Sequence, residues 1–144
     1  MPGASDDPPV YEDPDAGPVL AANRAFYDAF EQRDIDALSD AWEHSPRVSC
    51  THPGWATLTG WAAVSGSFFA LFQGQSTLQF VLTREQAHVE GPMAWVACDE
   101  NLLGDQGGQT IAALNVFVRT EKGWRMVAHH GSVVSRSMQL DDDE

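Results

Sequence analysis

The strongest constraint on the fold of this chain is a change of hydrophobic period halfway along it. Between about residues 18 and 74, apolar side chains recur at three- and four-residue steps, which is typical of helices with one buried face. From Ser76 onward they alternate with polar side chains, which is typical of strands with one buried face. Helices followed by strands and short turns predict an α+β domain, in which the helices pack on one face of a curved antiparallel sheet.

The helical half contains three amphipathic segments and one strand. Pro18 fits the first turn of the first helix, because proline lacks an N–H that this turn would leave unpaired. Asp34 and Thr59 are expected N-caps of the second and third helices, and Gly74 is expected to end the third in a left-handed conformation. The helices are expected at residues 18–33, 35–45 and 60–73, and the strand at residues 47–51.

Four strands are expected in the second half, the last three as an antiparallel meander. The stretches at residues 104–108 and 121–123 are rich in glycine and polar residues, which suits short hairpin turns. The expected strands run from residue 76 to the break at Gly91, and over residues 93–103, 109–120 and 123–135.

The chain fits one domain with two acidic tails. Its 144 residues carry a formal net charge of −13, but nine of the 21 acidic residues lie near the two ends. Residues 1–16 combine five of these acids with four prolines, so they contain too little apolar surface to fold. We expect a disordered acidic tail at residues 1–16, the domain at residues 17–136, and a second acidic tail at residues 137–144.

Composition argues against several classes of partner and cofactor. The single lysine and seven arginines form no basic stripe, so neither nucleic acid nor an anionic membrane surface is an expected partner. No apolar run reaches the length of a membrane span and no signal segment opens the chain, so we expect a cytoplasmic protein. The chain lacks paired CxxC, HExxH and phosphate-loop motifs, and we therefore expect neither a metal nor another cofactor.

The segment at residues 48–64 places a histidine at the end of a strand. His52 lies an even number of positions along the chain from Val48 and Cys50, so its side chain lies on the same face of the strand and points to the interior if theirs do. A partly buried imidazole can act as a base near neutral pH, but it can equally be a core histidine bonded to a backbone carbonyl. Trp55 follows on a Pro-Gly loop, a position from which it can stack on a ligand.

Two later strands each carry a polar residue among the apolar side chains that are expected to face the interior. Asn115 lies on the inward set of its strand, where an unpaired amide would be costly, so it either binds a ligand or joins a structural hydrogen-bond network. His130 shares the parity of Trp124 and Met126 and is expected inside, whereas His129 is expected outside. For His130 as well, a structural role in the core is the alternative.

An acid is expected to face the cavity from the strand at residues 93–103. Asp99 has the parity of Trp95 and Ala97, and it would orient or charge an imidazole there. Glu100 takes this role instead if a bulge shifts the register. The alternative for either acid is a solvent-facing position.

Two phrases carry a family resemblance: Thr-His-Pro-Gly-Trp-Ala-Thr-Leu-Thr-Gly-Trp at residues 51–61 and Asn-Val-Phe-Val-Arg-Thr-Glu-Lys-Gly-Trp-Arg-Met-Val-Ala-His-His-Gly-Ser at residues 115–132. Together with the order of helices, they resemble the nuclear transport factor 2-like superfamily in its SnoaL-like bacterial branch, over about residues 18–135. The phrases are also similar to the association domain of calmodulin-dependent kinase. This resemblance implies a cone-shaped, cystatin-like antiparallel sheet around a helix-lidded cavity, commonly in a homodimer.

The resemblance also implies roles for particular residues. In the ketosteroid isomerases of this superfamily, a strand-end Asp is the base, and a Tyr and a protonated Asp form the oxyanion hole. His52 falls at the position of the base, and Asn115 at that of the oxyanion acid. The tyrosine position falls on Phe26 or, with a shift of one residue, on Tyr27, which makes Tyr27 a candidate ligand-binding residue.

Three functions are compatible with these residues. The first is binding of a small, largely apolar organic molecule in the cone cavity, with His52, Asn115 and His130 at its polar end. The second is a cofactor-independent proton-transfer enzyme, an isomerase, cyclase or hydrolase, with His52 as base and Asn115 or Tyr27 as oxyanion donor. The third is a homo-oligomeric assembly domain.

The strand at residues 109–120 also predicts an interface between subunits. Ala112, Leu114 and Val116 are apolar although they lie opposite the inward set of that strand. Three helices cannot cover both faces of the sheet, so we expect a second copy of the chain to cover the outer face in a homodimer.

Overall fold

The computed structural model describes residues 13–74, 78–104 and 107–135 and confirms the α+β class. In these ranges two helices come first, two short strands precede the third helix, and four long strands follow. The six strands form one curved, unclosed sheet. The elements are α1 (Ala16–Gln32), α2 (Ile35–Ala41), β1 (Ser49–Thr51), β2 (Leu58–Thr59), α3 (Trp61–Phe72), β3 (Gln79–Glu90), β4 (Met93–Gly104), β5 (Gly107–Thr120) and β6 (Gly123–Val133).

The first two helices begin close to where the sequence predicts them, but α2 ends at Ala41, four residues before its expected end. Helix α1 begins at Ala16, one residue before the expected start of the domain, and buries Asn23, Phe26 and Tyr27 on one face. The side chain of Asp34 accepts a hydrogen bond from the backbone N–H of Ala37 at 3.0 Å, so its expected role as N-cap of α2 is confirmed. Residues 1–12 and 137–144, which were expected as tails, lie outside the described residues.

Both expected caps of α3 are wrong. Thr59 lies in the short strand β2, and Gly60 takes the N-cap position with a φ of 86°. Glycine adopts this conformation without the steric cost that a Cβ atom would bring. At the other end, α3 stops at Gln73 in a right-handed conformation, so Gly74 is not a left-handed stop.

The order of strands in the sheet brings the first strand beside the last one. The order is β2-β1-β6-β5-β4-β3, and β3 to β6 form the expected antiparallel meander. Strand β1 runs parallel to β6, with Cys50 opposite His129 and Thr51 opposite His130. The residue that follows β1, His52, therefore emerges beside the C-terminal part of β6.

A bulge in β6 determines which of its histidines faces inward. Val116 of β5 pairs with Ala128, but Phe117 pairs with Met126, so Val127 is an extra residue in β6. Before the bulge Trp124 and Met126 are buried, and after it the inward positions become odd-numbered.

The two faces of the sheet differ in what covers them. The helices pack on one face, and the apolar core lies between the helices and the sheet. On the other face several large apolar side chains are exposed, among them Trp95 at 37% and Leu114 at 45%. None of the three helices in the described ranges combines the length and apolar character needed to cross a membrane.

We predict that Asp34→Ala lowers the free energy of unfolding by about 1 kcal/mol, because the substitution removes the acceptor for the first turn of α2. Urea unfolding followed by circular dichroism measures the change. Asp40→Ala is the matched control, since Asp40 is exposed in the last turn of the same helix. Equal losses in both variants would contradict the capping role.

Candidate functional site

A pocket of about 240 Å³ opens between helices α1 and α3 and the helix-facing side of the sheet. Its walls are mostly aromatic and aliphatic, and its polar groups are contributed by different elements. The aromatic side chains are Phe26, Tyr27, Phe30, Trp55 and Phe80, and the polar ones besides Tyr27 are His52, Glu100, Gln109 and His129. A concave, largely apolar pocket with a few convergent polar groups is the usual form of a small-molecule site.

His52 is held at the end of β1 by a serine of α3. Its Nε2 lies 2.9 Å from Oγ of Ser67, which itself donates to the carbonyl oxygen of Val64 at 2.7 Å. A hydroxyl has one proton, so Nε2 of His52 must be the donor to Ser67, and Nδ1 carries the lone pair. The His52 ring also packs edge-on against Trp55, with ring centroids 4.8 Å apart.

Trp55 stands at the entrance of the pocket because of a tight turn after β1. Its backbone N–H donates to the carbonyl oxygen of His52 at 2.9 Å, and Gly54 within the turn has a φ of 83°. The indole is 45% exposed although it lines the pocket. A ligand that enters would therefore cover apolar surface of Trp55 that is now in contact with water.

Glu100 places a carboxyl group on the inward face of β4. The hydroxyl of Tyr27 donates to its Oε2 at 2.5 Å, while Oε1 makes no hydrogen bond to a described residue. Burial raises the pKa of Glu100 to about 7, although the Tyr27 hydrogen bond acts in the opposite direction. Burial and the nearby Glu100 also raise the pKa of Tyr27 well above its ordinary value, so its phenol keeps its proton.

Asn115 lies behind the pocket and connects the helix to the strands. Its amide nitrogen donates to Oδ1 of Asn23 at 2.8 Å and to the Tyr27 hydroxyl oxygen at 3.0 Å. Its Oδ1 accepts a hydrogen bond from Nδ1 of His129 at 2.5 Å. This places the proton of neutral His129 on Nδ1, and its Nε2 lies 3.9 Å from Oε2 of Glu100.

Both imidazoles of the pocket are neutral at physiological pH. Burial lowers the pKa of His52 to about 4. Burial, together with the neighbouring His52 and His130, lowers the pKa of His129 to about 3. The contact between His129 and Glu100 is therefore not an ion pair, and Glu100 is the group of the pocket with a pKa near neutrality.

The structure brings four of the six predicted site residues together. His52, Tyr27 and Trp55 line the pocket, and Asn115 supports it from behind through its hydrogen bonds to Tyr27 and His129. Whether they act on a ligand stays a prediction. Among the described residues, no group of histidines, cysteines and acids is arranged to hold a metal ion.

The expected inward positions of Asp99 and His130 are wrong. Asp99 lies on the outer side of β4, where it contacts Arg84 at 3.5 Å, because the inward set of β4 is even-numbered and Trp95 faces outward. His130 is exposed because the bulge at Val127 reverses the parity of β6, so its neighbour is the buried one. Glu100, the alternative acid, lies inside in place of Asp99, and His129 lies inside in place of His130, so the expected outer position of His129 is also wrong.

Sequence reasoning missed two residues that position the site. Ser67 and Asn23 are polar residues within the apolar stripes of α3 and α1, and both are buried. A polar side chain on a buried helical face needs a hydrogen-bond partner, so this pattern was a usable signal. The identity of the partner was not, because it depends on how the helices dock on the sheet.

Comparison with known proteins places these features in a family. The family model for the SnoaL-like domain matches residues 19–136. The chain is also 28% identical over 126 residues to the F-box protein SKIP8 of Arabidopsis thaliana, a match that covers 88% of this chain and 52% of the plant protein. The chain thus spans about half the length of this curated relative.

Two solved structures combine a similar fold with substantial sequence identity. A candidate dehydratase of the nuclear transport factor 2-like family from Streptomyces avermitilis is 39% identical, with a TM-score of 0.78 over 84% of this chain and 96% of that one. A candidate calcium/calmodulin-dependent protein kinase type II association domain from Thiobacillus denitrificans is 35% identical, with a TM-score of 0.70 over 89% of this chain and all of the other. The resemblance inferred from the sequence phrases is confirmed.

We predict that Glu100→Gln changes how stability depends on pH. The pKa of Glu100 is about 7 in the folded protein against an ordinary value of 4.5, so the folded state binds more protons between these values. The stability of the wild type relative to the variant should therefore be greatest below pH 4.5 and fall by about 3 kcal/mol as the pH rises through 7.

Chemical unfolding at several pH values measures this difference. Asp99→Asn, the equivalent change on the outer side of the same strand, controls for the loss of one acidic charge. Wild type and Glu100→Gln curves that stay parallel across this window would contradict an ionisable carboxyl buried at position 100.

Proposed function

The chain belongs to the SnoaL-like domain family, and from this premise and the pocket we propose that it binds a small, uncharged, largely apolar organic molecule and transfers a proton on it with its own side chains. A shared fold does not specify a reaction, so the proposal rests on the site. One observation carries it: a carboxyl with a pKa of about 7 and a neutral imidazole both line one aromatic pocket.

The size and lining of the pocket support a compact, mostly apolar ligand. A dry apolar cavity of about 150 Å³ accommodates benzene, so a pocket of about 240 Å³ has room for roughly ten non-hydrogen atoms. The aromatic rings around it favour a flat or cyclic molecule, since offset and edge-on packing adds to the gain from burying apolar surface.

The charge of the pocket supports a ligand without an anionic group. None of the described residues that line it is a lysine or an arginine. A carboxylate or phosphate would lose its hydration there without a cationic partner, and it would also lie near Glu100. An uncharged carbonyl or hydroxyl group can instead exchange hydrogen bonds with Glu100 and the imidazoles.

The chemistry of Glu100 and His52 supports proton transfer. General acid–base catalysis is most effective when the pKa of the group is near the working pH, which holds for Glu100. His52 is neutral and retains a lone pair on Nδ1; with a pKa of about 4 it is a weak base, which accepts a proton in concert with the donation of one by protonated Glu100. An acid and a base in one pocket can serve two steps of the same reaction.

The reaction type that we favour is elimination of water from a hydroxylated carbonyl compound. The base takes the proton next to the carbonyl, the new carbon–carbon double bond forms, the carbon–oxygen bond breaks, and the acid protonates the departing hydroxyl to give water. This assignment is supported by the 39% identity to the candidate dehydratase from Streptomyces avermitilis. Both required groups line the pocket.

We predict that a neutral bicyclic ketone such as 1-indanone binds the protein and exchanges its α-hydrogens for deuterium faster in its presence. Thermal shift measures binding, and proton NMR in D₂O measures exchange. His52→Ala and Glu100→Gln should each reduce the protein-dependent exchange about a hundredfold, because each removes a general acid or base. Glu100→Gln should retain binding, since the shape of the pocket is kept.

Asp99→Asn is the control for this experiment and should behave as the wild type, because Asp99 lies outside the pocket. Benzoate tests the charge argument and should not stabilise the protein. Tight binding of benzoate, or exchange that persists in both His52→Ala and Glu100→Gln, would contradict the proposed function.

A second candidate function, self-association, is favoured by the outer face of the sheet. Exposed apolar side chains from neighbouring strands lie there without a covering element among the described residues, namely Val81, Met93, Trp95 and Leu114. Large exposed apolar patches mark interaction sites, and the relative from Thiobacillus denitrificans is a candidate association domain. We propose that a second copy of this chain packs on this face.

We predict that Leu114→Lys shifts a dimer toward monomer in sedimentation velocity, because it introduces a charge at the centre of the outer face. Ala63→Lys on the exposed side of α3 is the matched control and should leave the assembly unchanged. A wild type that remains monomeric at micromolar concentration would contradict self-association without affecting the proposal for the pocket.

A further inference from the structure

We propose that Glu85 is a positioning residue for the pocket: it fixes the direction of a hydrogen-bond chain through Asn23 and Asn115, and this direction places the exchangeable proton of Glu100 on the oxygen that faces the ligand. The proposal rests on the proposed acid–base role of Glu100. Glu85 itself does not line the pocket.

The hydrogen-bond chain begins at the carboxylate of Glu85, which can only accept hydrogen bonds. Glu85 lies in the irregular stretch of β3 between Thr83 and Gln86, and its side chain is 10% exposed beneath an ion pair with Arg24. Its Oε2 accepts a hydrogen bond from the side-chain nitrogen of Asn23 at 3.4 Å. Because an ionised carboxylate has no proton to donate, the amide of Asn23 must present its nitrogen to Glu85.

This first orientation determines the next two. With its nitrogen toward Glu85, Asn23 presents Oδ1 to Asn115, which donates to it from Nδ2 at 2.8 Å. The same Nδ2 donates its second proton to the Tyr27 hydroxyl oxygen at 3.0 Å. Oδ1 of Asn115 is then left for His129, and it accepts from Nδ1 at 2.5 Å.

The branch through Tyr27 determines where Glu100 carries its proton. Because Asn115 already donates to the Tyr27 oxygen, the single phenolic proton of Tyr27 goes to Oε2 of Glu100 at 2.5 Å. Cys98 Sγ, 3.7 Å from the same hydroxyl, is a much weaker partner. With Oε2 occupied, Glu100 gains and loses its own proton at Oε1.

Oε1 is the atom of Glu100 that a ligand can reach. It makes no hydrogen bond to a described residue, and it is not among the described buried side-chain atoms that lack a partner. Glu100 also lines the pocket. A proton on Oε1 can therefore be delivered directly to a bound molecule.

If the hydrogen-bond chain ran in the opposite direction, the proton of Glu100 would no longer be directed to Oε1. If both amides turned over, the Asn115 oxygen would lie beside Tyr27 and accept its proton, so Oε2 of Glu100 would lose its donor. The Asn115 nitrogen would then donate to Nδ1 of His129, and the proton of His129 would move to Nε2. The tautomer of His129 thus reports the direction of the whole chain.

The experiment is long-range ¹H–¹⁵N NMR of the histidine rings in the ligand-free protein, with His129 assigned by its loss in His129→Gln. We expect wild-type His129 to be protonated on Nδ1 alone. In Glu85→Gln the side chain at position 85 can donate as well as accept, so we expect the His129 signals to shift toward a mixture of the two tautomers. Glu90→Gln, the same change at an exposed position of β3, should match the wild type.

A rescue variant separates direction from general damage. Asn23→Asp combined with Glu85→Gln moves the acceptor-only carboxylate one step along the chain, beside the Asn115 nitrogen, so we expect it to restore the Nδ1 tautomer. Wild-type His129 protonated on Nε2 would overturn the proposal. So would Glu85→Gln signals identical to the wild type, or a shift of the same size in Glu90→Gln.

These readouts need no ligand and no turnover, so they are independent of the proposed function. If Glu100→Gln retained full deuterium exchange on 1-indanone, the proposed function would fail while the tautomer measurements stood. If exchange depended on Glu100 but the tautomer did not depend on Glu85, only the assignment of Glu85 would fail. For Glu85→Gln, we expect slower exchange with unchanged binding of 1-indanone, and the tautomer mixture distinguishes this from a loss of fold.

Discussion

The hydrogen bond between Tyr27 and the buried carboxyl of Glu100 is the interaction on which the interior of this domain depends. A carboxyl on a buried strand face loses its hydration, and a hydrogen bond from a neutral donor reduces that cost. Tyr27 supplies this donor and is itself held by Asn115. Helix α1 must therefore lie on β4 and β5 at one particular position along its axis, which also sets the position of the aromatic residues that flank Tyr27.

A single extra residue in β6 completes the arrangement. Without the bulge at Val127, alternation from Met126 would point His129 to the outside of the sheet. The Asn115 oxygen would then lose its donor from His129 at the centre of the interior. The bulge is thus as necessary to the polar network as the residues that form it, although no side chain of the network belongs to it.

The sequence predicted the elements well and the orientation of the site in part. Hydrophobic period located the three helices and every strand except the short β2. The inward positions of Asn115 and His52 followed from parity, because neither lies beyond an irregularity in its strand. His130 was misplaced because nothing in the local sequence marks Val127 as an extra residue. Asp99 was misplaced because Trp95 was taken as a core residue, whereas it stacks on His88 on the outer face. Partners such as Ser67 and Asn23 depend on helix docking, which local pattern does not encode.

Strands β4 and β5 carry two different surfaces at once. Glu100 and Asn115 face the pocket, while their neighbours Asp99 and Leu114 face outward. Because side chains alternate along a strand, a shift by one residue would exchange the two surfaces and bury Asp99 in place of Glu100. Apolar residues at outward positions therefore weaken the preference for the correct register, since a shifted β5 would still place apolar side chains in the interior. The network of Tyr27, Asn115 and Glu100 opposes that shift, because only one register satisfies all of its hydrogen bonds.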